Sequence, residues 1–450
     1  MTIAATRIPP LAAREAERYA RERPRSAALA AAARAHWLNG VPLHWMQDWG
    51  TPFPLFVRSA HGAGLVDVDD HSYADFCLGD TGAMFGHSPE PVARALAAQA
   101  AGGCTAMLAG ERVAAVGELL AARFGLPYWQ LTQTATEANR AVLRYARAAT
   151  GRQRILVFDG GYHGTVDETM VRLAGGRTVV RPGQIGAPFD LAAHTLAVPF
   201  NDLAALERAL APGDVACVLA EPVMTNVGMV LPDPGFHAAL RRLTRASGTL
   251  LVIDETHTLS SGLGGYTRVH GLEPDFFVCG KAVAGGVPCA VYGFTAECEA
   301  ALRRAWGARS GGHSGLGTTL TANLLALAAL EATLAEVMTP AAYAHMETLA
   351  AQLEAGLVAL FARRGLGWNV ARVGARLEIG YGAARPRTAV ESEAAMWPAL
   401  EQLLHLYLLN RGVLLTPFHN MMLVSPATAP ADLERLLAAL DAALAELTAP

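Results

Sequence analysis

Between residues 110 and 330 the chain alternates short, unbroken apolar runs with helical patterns, and few architectures accept that alternation. The apolar runs 128–132, 155–159, 195–198, 215–220, 249–254, 276–279 and 290–294 are mostly aliphatic or β-branched, with little polar alternation. Strands buried on both faces read this way. The periodic segments 136–149, 203–210, 234–246 and 298–306 lie between them and predict helices. Such a chain folds as an α/β domain around a mostly parallel sheet, and its ligands gather beyond the carboxyl ends of the strands. Leu/Ala patterns at 340–364, 394–410 and 431–447 predict helices of a later α/β unit. Alanine-rich 27–33 and 95–101 read as helix rather than disorder.

Composition narrows the function. Of 450 residues, 52% are apolar and 17% charged, enough for large cores and no case for disorder. A net charge of −4 lacks the basic face of a nucleic-acid binder, and no run of about 18 apolar residues predicts a membrane span. The opening stretch, 1–25, mixes Arg and Glu and carries no signal-peptide core. Cysteines 77, 104, 217, 279, 289 and 298 form no C-x-x-C pair and have no His at ligand spacing. A reduced, cytoplasmic protein without a metal site is therefore expected. Among 36 Lys plus Arg only one is lysine, Lys281. Arg keeps its proton at any usable pH, whereas a desolvated Lys can lose it and close onto a carbonyl as a Schiff base. A single exposed lysine surviving a bias toward Arg is the plainer alternative.

Charged residues recur at the strand ends. Glu221 follows 215–220, Asp254 closes 249–254, and Lys281 follows 276–279 after Gly280. Three such groups at one sheet edge are costly to desolvate unless they serve something there; alone, Asp254 also reads as a turn residue. An amine and a carboxylate arriving together suit pyridoxal 5'-phosphate, which needs a lysine for its aldehyde and an acid opposite its ring nitrogen. A phosphate needs backbone donors at a helix start. Thr132-Gln-Thr-Ala-Thr-Glu-Ala-Asn139 supplies a strand end, hydroxyls and a helix, and reads equally as a plain N-cap. Tyr162, within Gly160-Gly-Tyr-His-Gly164, can offer a stacking face over the same edge, as a rim tyrosine would.

In this order the segments resemble the class III pyridoxal-phosphate aminotransferases, including their glutamate-1-semialdehyde aminomutase branch. The resemblance spans about residues 60–330 and continues more faintly to the C-terminus. It implies an α/β protein of fold type I: a large, mostly parallel sheet domain flanked by helices plus a smaller α/β domain. The boundaries expected are 1–75 (N-terminal segment and part of the small domain), 76–330 (large cofactor-binding domain) and 331–450 (C-terminal small domain). Thr134-Ala-Thr-Glu-Ala-Asn139 is similar to the family's Ser-Gly-Thr-Glu-Ala-Asn phosphate turn, which implies phosphate on the amides of Ala135 and Thr136. Tyr162-His163-Gly164 resembles the family's Tyr-His-Gly, whose aromatic ring stacks on the cofactor, with His163 beside it. Glu221-Pro222 matches the Glu-Pro step, and Asn226 falls near the ring hydroxyl. Asp254-Glu-Thr256-His257-Thr258 resembles Asp-Glu-Val-Met/Gln-Thr. That implies Asp254 at the ring nitrogen, Thr256 at the ring's back face and His257 on its phenolic oxygen side. Gly280-Lys281 with Gly285-Gly286 implies that Lys281 is the covalent lysine and proton shuttle. Gly317-Thr-Thr319 is like the stretch that reaches the neighbouring subunit's phosphate, so a homodimer with shared active sites is implied.

The departures concern the substrate. Ser261 stands where many members have Arg, and 416–424 contains no arginine where many relatives grip a carboxylate. The loop 41–49, with Trp45 and Trp49, lies where relatives line the substrate pocket, and reads equally as packing. Taken as a pocket wall, it suggests a bulky, apolar substrate. Arg58, Arg268 and Arg411 are the candidate carboxylate anchors, with Arg411 carried forward. The implied activity is a ping-pong transaminase moving nitrogen from a primary amine or amino acid to a 2-oxo acid. The alternative is an intramolecular 2,1-aminomutase, which needs no separate acceptor. A P-loop enzyme is excluded because Lys281 is followed by Ala282.

Overall fold

Seven strands make the central sheet of the larger part of the molecule: β1 (Tyr128–Thr132), β2 (Arg154–Phe158), β3 (Thr195–Val198), β4 (Val215–Ala220), β5 (Leu250–Asp254), β6 (Phe276–Cys279) and β7 (Ala290–Phe294). Their spatial order is β1-β7-β6-β5-β4-β2-β3. Only β7 runs antiparallel to its two neighbours; β6-β5, β5-β4, β4-β2 and β2-β3 are parallel. The computed structural model describes residues 3–187, 189–308 and 315–448. The chain separates into a unit of Glu90–Pro340 with Pro386–Ala394, and a unit of Met1–Pro89, Ala341–Arg385 and Ala395–Pro450.

Sequence explains the sheet directly. Every residue of β4 and β6 is buried, as unbroken apolar strands covered on both faces require. Between β1 and β2 runs helix α1 (Ala135–Thr150), whose buried Ala138, Ala141, Val142, Tyr145 and Ala146 fall on one stripe. That stripe packs on Ile155, Val157, Leu219, Val252 and Val278 from four strands. Val142 and Leu143 are almost fully buried, and each such side chain contributes about 1.5–3 kcal/mol. Gly151 ends the helix in the left-handed region, φ 71°, its amide bonded to the Arg147 carbonyl.

The expected cuts at 75/76 and 330/331 differ from the division observed. Helix Leu324–Ala332 belongs with Glu90–Ala101, on which it packs, and so extends the larger unit to Pro340. Within the smaller unit, strands Val57–His61, Gly64–Asp67 and Ser72–Asp75 form an antiparallel meander that Val413–Leu414 extends in parallel. The helix anticipated over 394–410 is two, Ala389–Ala395 and Pro398–Leu409; Pro398 can open a helix but not continue one. Among the described residues no single helix is long and apolar enough to cross a membrane. All six cysteines are free.

Candidate active site

The carboxyl ends of β2, β4, β5 and β6 deliver the candidate residues to one place. Asp254, the last residue of β5, is buried and receives four donors. Asn139 Nδ2 (2.9 Å) and His163 Nδ1 (3.0 Å) reach Oδ2, while the Thr256 amide (3.1 Å) and Thr256 hydroxyl (2.6 Å) reach Oδ1. Burial alone pushes this carboxyl up. The hydrogen bond and charge of His163, with Thr256 and Asn139, outweigh burial and hold it below the usual carboxylate range. The site therefore contains a fixed buried anion.

Lys281 follows β6 across Gly280 and adopts φ 50°, a left-handed conformation uncommon for a side-chain-bearing residue. A Cβ on Gly280 would lie 3.0 Å from the Ala135 Cβ, so glycine lets this strand end touch the start of α1. Lys281 Nζ meets His257 Nε2 at 2.5 Å. His257 Nδ1 lies 2.5 Å from the Thr225 hydroxyl, which is 2.8 Å from Glu221 Oε2. The other Glu221 oxygen accepts from the Tyr162 amide at 3.0 Å. Burial raises the Glu221 carboxyl above its ordinary range, with His163 and Thr225 pulling the other way.

At the start of α1, the Thr134 hydroxyl accepts from the Glu137 amide (3.3 Å) while Glu137 accepts from the Gln133 amide (2.9 Å), a reciprocal cap. The amides of Ala135 and Thr136 remain as helix-start donors with no carbonyl four residues back. The 160–165 loop lies against them: the Thr165 amide donates to the Thr136 hydroxyl at 3.1 Å. A Cβ on Gly164 would sit 2.1 Å from that same oxygen. Helix-start donors, a buried anion and a primary amine are the donor set pyridoxal phosphate requires, so the residues present fit it.

Other candidates fall elsewhere. The Thr256 hydroxyl is given to Asp254 and accepts the Gly280 amide (3.3 Å), so it helps to hold the anion. Asn226 Nδ2 reaches the Gly160 carbonyl at 3.4 Å, and Thr319 is exposed in a turn closed by Thr321. In the smaller unit, Arg411 pairs with buried Glu15 at 3.0 Å and stacks over Tyr407, so its guanidinium is committed and not available as a carboxylate anchor. Arg58 pairs with Asp70. Trp49 meets His405 edge-on and, partly buried, packs against the core of Tyr19, Tyr73 and Leu406. Trp45 is half-exposed beside Phe418. In the larger unit, Arg268 lies against Gly125 and Gly264. Two residues of the site were missed. Asn139 could have been found as a polar residue on the apolar stripe of α1, whereas Thr225, in a loop, carries no periodic signal.

The family profile of the class-III aminotransferases matches residues 45–444. A glutamate-1-semialdehyde 2,1-aminomutase of Anaeromyxobacter sp. is 34% identical over 399 residues, covering 87% of this chain and 91% of that protein. The crystal structure of a glutamate-1-semialdehyde-aminomutase from Pseudomonas aeruginosa PAO1 is 51% identical with a TM-score of 0.96, covering 99% of this chain and 100% of that one. A variant of it, 50% identical with a TM-score of 0.96 and the same coverage, was solved in complex with PMP. An omega-transaminase from Sphaerobacter thermophilus is 29% identical with a TM-score of 0.86, covering 94% and 97%.

Proposed function

The chain belongs to the class-III aminotransferases, enzymes of pyridoxal phosphate, and from that premise we propose that it is an intramolecular 2,1-aminomutase of the glutamate-1-semialdehyde type. One observation carries this reading: 51% identity along 99% of the chain to an aminomutase, against 29% to an omega-transaminase. The bulky-amine transaminase expected from the sequence loses part of its support because Trp49, partly buried, packs against a core. A 2-oxo acid partner is then not required.

Bound pyridoxal phosphate supplies an aldehyde that condenses with amines and a ring that withdraws electrons from the carbon bearing the nitrogen. The chain's own residues do the rest. The Ala135 and Thr136 amides hold the phosphate where the helix dipole favours an anion, and Tyr162 covers the ring. Asp254, kept ionised by its four donors, holds the proton on the ring nitrogen. Lys281 takes a proton from the substrate carbon and returns it within the same site. An aminomutase must also retain its substrate between two nitrogen transfers, so one molecule enters and its isomer leaves.

A homodimer with shared active sites is part of this reading. Exposed Met107 and Leu108 line one groove with Thr318 and Thr319, an apolar surface of the kind a second copy covers. The decisive assay supplies loaded protein with glutamate 1-semialdehyde and no 2-oxo acid; conversion should continue for many turnovers. If conversion stops after one turnover and resumes only as an added 2-oxo acid is consumed mole for mole, the transaminase reading replaces this one.

A further inference from the structure

Four side chains from three strand ends form a line of hydrogen-bonding groups that finishes on Lys281. Glu221 and Thr225 follow β4, His257 follows β5, and Lys281 follows β6. The successive contacts are Glu221 Oε2 to Thr225 Oγ1 (2.8 Å), Thr225 Oγ1 to His257 Nδ1 (2.5 Å) and His257 Nε2 to Lys281 Nζ (2.5 Å). Thr225 and Glu221 are buried, so bulk water does not compete for the bond between them, while His257 and Lys281 are half-buried. In the resemblance described above, His257 stands where relatives carry Met or Gln, neither of which exchanges a proton. Histidine turns the line into a conductor.

A hydroxyl has one hydrogen and a neutral imidazole one N–H, so the line satisfies every contact in two arrangements. With Glu221 ionised, Thr225 donates to it, His257 Nδ1–H donates to Thr225, and Nε2 accepts from the Lys281 ammonium. With Glu221 protonated, every bond reverses, and Nε2–H donates to the lone pair of a neutral Lys281. Going from the first to the second, Nζ–H breaks as Nε2–H forms, Nδ1–H breaks as a new Oγ1–H forms, and the old Oγ1–H breaks as Oε2–H forms. One ammonium and one carboxylate become one amine and one carboxylic acid. Net charge is unchanged and no co-reactant is needed.

We propose that Glu221, acting through Thr225 and His257, is the proton reservoir that converts Lys281 between ammonium and amine. The three are positioning residues that act through the lysine. Burial raises the Glu221 carboxyl, which brings its proton affinity toward that of an amine. The other charged groups facing it are His163, which favours its anion, Asp254, which opposes it, and Arg181, whose guanidinium reaches the Gly161 carbonyl. The proposal rests on Lys281 being the cofactor's lysine and is indifferent to whether the nitrogen leaves the molecule.

The test uses the sole lysine as its own probe. In the cofactor-free full chain, the rate of Lys281 acylation by acetic anhydride is read on its peptide by mass between about pH 6 and 9. An isolated amine reacts about tenfold faster per pH unit below its pKa. A pair that shares one proton keeps a constant fraction of amine and gives a plateau. The parent and Thr225→Ser should show the plateau, and Thr225→Val and His257→Gln the tenfold slope. A tenfold slope in the parent, or a plateau surviving in either broken line, overturns the proposal. Borohydride treatment of the loaded protein separates the two levels of failure. A labelled Lys281 with no plateau ends the reservoir alone, and an unlabelled Lys281 ends the lysine assignment with it.

Discussion

Replacing Asp254 by Asn keeps the side chain's shape and removes its charge, and the structure sets the cost. Four donors enter the two carboxylate oxygens, two on each. Asn offers one carbonyl oxygen, so its amide group confronts one pair whichever way it turns. If it faces the first pair, the His163 ring nitrogen can accept in its other tautomer, but the Asn139 amide cannot. If it faces the second, the Thr256 hydroxyl can rotate, but the Thr256 backbone N–H cannot. One buried donor is stranded in either case, at about 1–3 kcal/mol. The surviving bonds lose their charge assistance, about 1 kcal/mol more, and relief of the buried charge returns a similar amount. Asp254→Asn should therefore destabilise the cofactor-free protein by about 1–3 kcal/mol, read from urea unfolding. Proton removal from the substrate, followed by stopped-flow absorbance, should slow about 100-fold or more, the scale on which a lost preorganised charge partner acts. A variant within about 0.5 kcal/mol of the parent and within a few-fold of its rate would mean that neither the four donors nor the charge of Asp254 matters as described.

Gly164→Ala places a methyl 2.1 Å from the Thr136 hydroxyl at a residue with φ 80°. It should loosen the loop over the helix start and weaken cofactor binding about tenfold or more, measured by equilibrium dialysis. Arg411→Met removes one of the two guanidinium partners of Glu15, 1% exposed, and leaves it Arg14 at 3.0 Å and the Asn410 amide at 2.9 Å. Stability should fall about 1–3 kcal/mol while the loaded protein's visible spectrum is unchanged; a spectral or KM effect without destabilisation would return Arg411 to the substrate. His405 is fully buried, and burial pushes its imidazole from 6.5 down to about 4 despite its bond to the Leu415 carbonyl. The unfolded chain takes the proton first, so this contribution is complete above about pH 6.5 and lost, by about 3 kcal/mol, as pH falls toward 4. His405→Gln should flatten stability against pH across that window; an unaltered slope would mean the imidazole is already charged when folded.

The strands and α1 were legible in the sequence because each is short, bounded and locally consistent: unbroken apolar runs for strands covered on both faces, one apolar stripe for the helix. The meander of Val57–His61, Gly64–Asp67 and Ser72–Asp75 was not, since its half-exposed residues carry neither period strongly. Lys281 and Asp254 stood out as scarce or costly residues at strand ends. Arg411 and Trp49 stood out by residue type alone, and their neighbours Glu15 and His405 assign them to packing in the smaller unit.

Residue order alone determined that strand ends would deliver an acid, an amine and a helix start to one edge, because parallel strands joined by helices place every carboxyl end on the same side. Which groups then touch was decided by the tertiary structure. Asn139 reaches Asp254 across 115 positions, and Lys281 reaches Thr225 through a histidine 24 residues away. Strand order and pleat set those distances, and a hydrogen bond forms or fails within a few tenths of an ångström. A linear pattern carries no information at that scale.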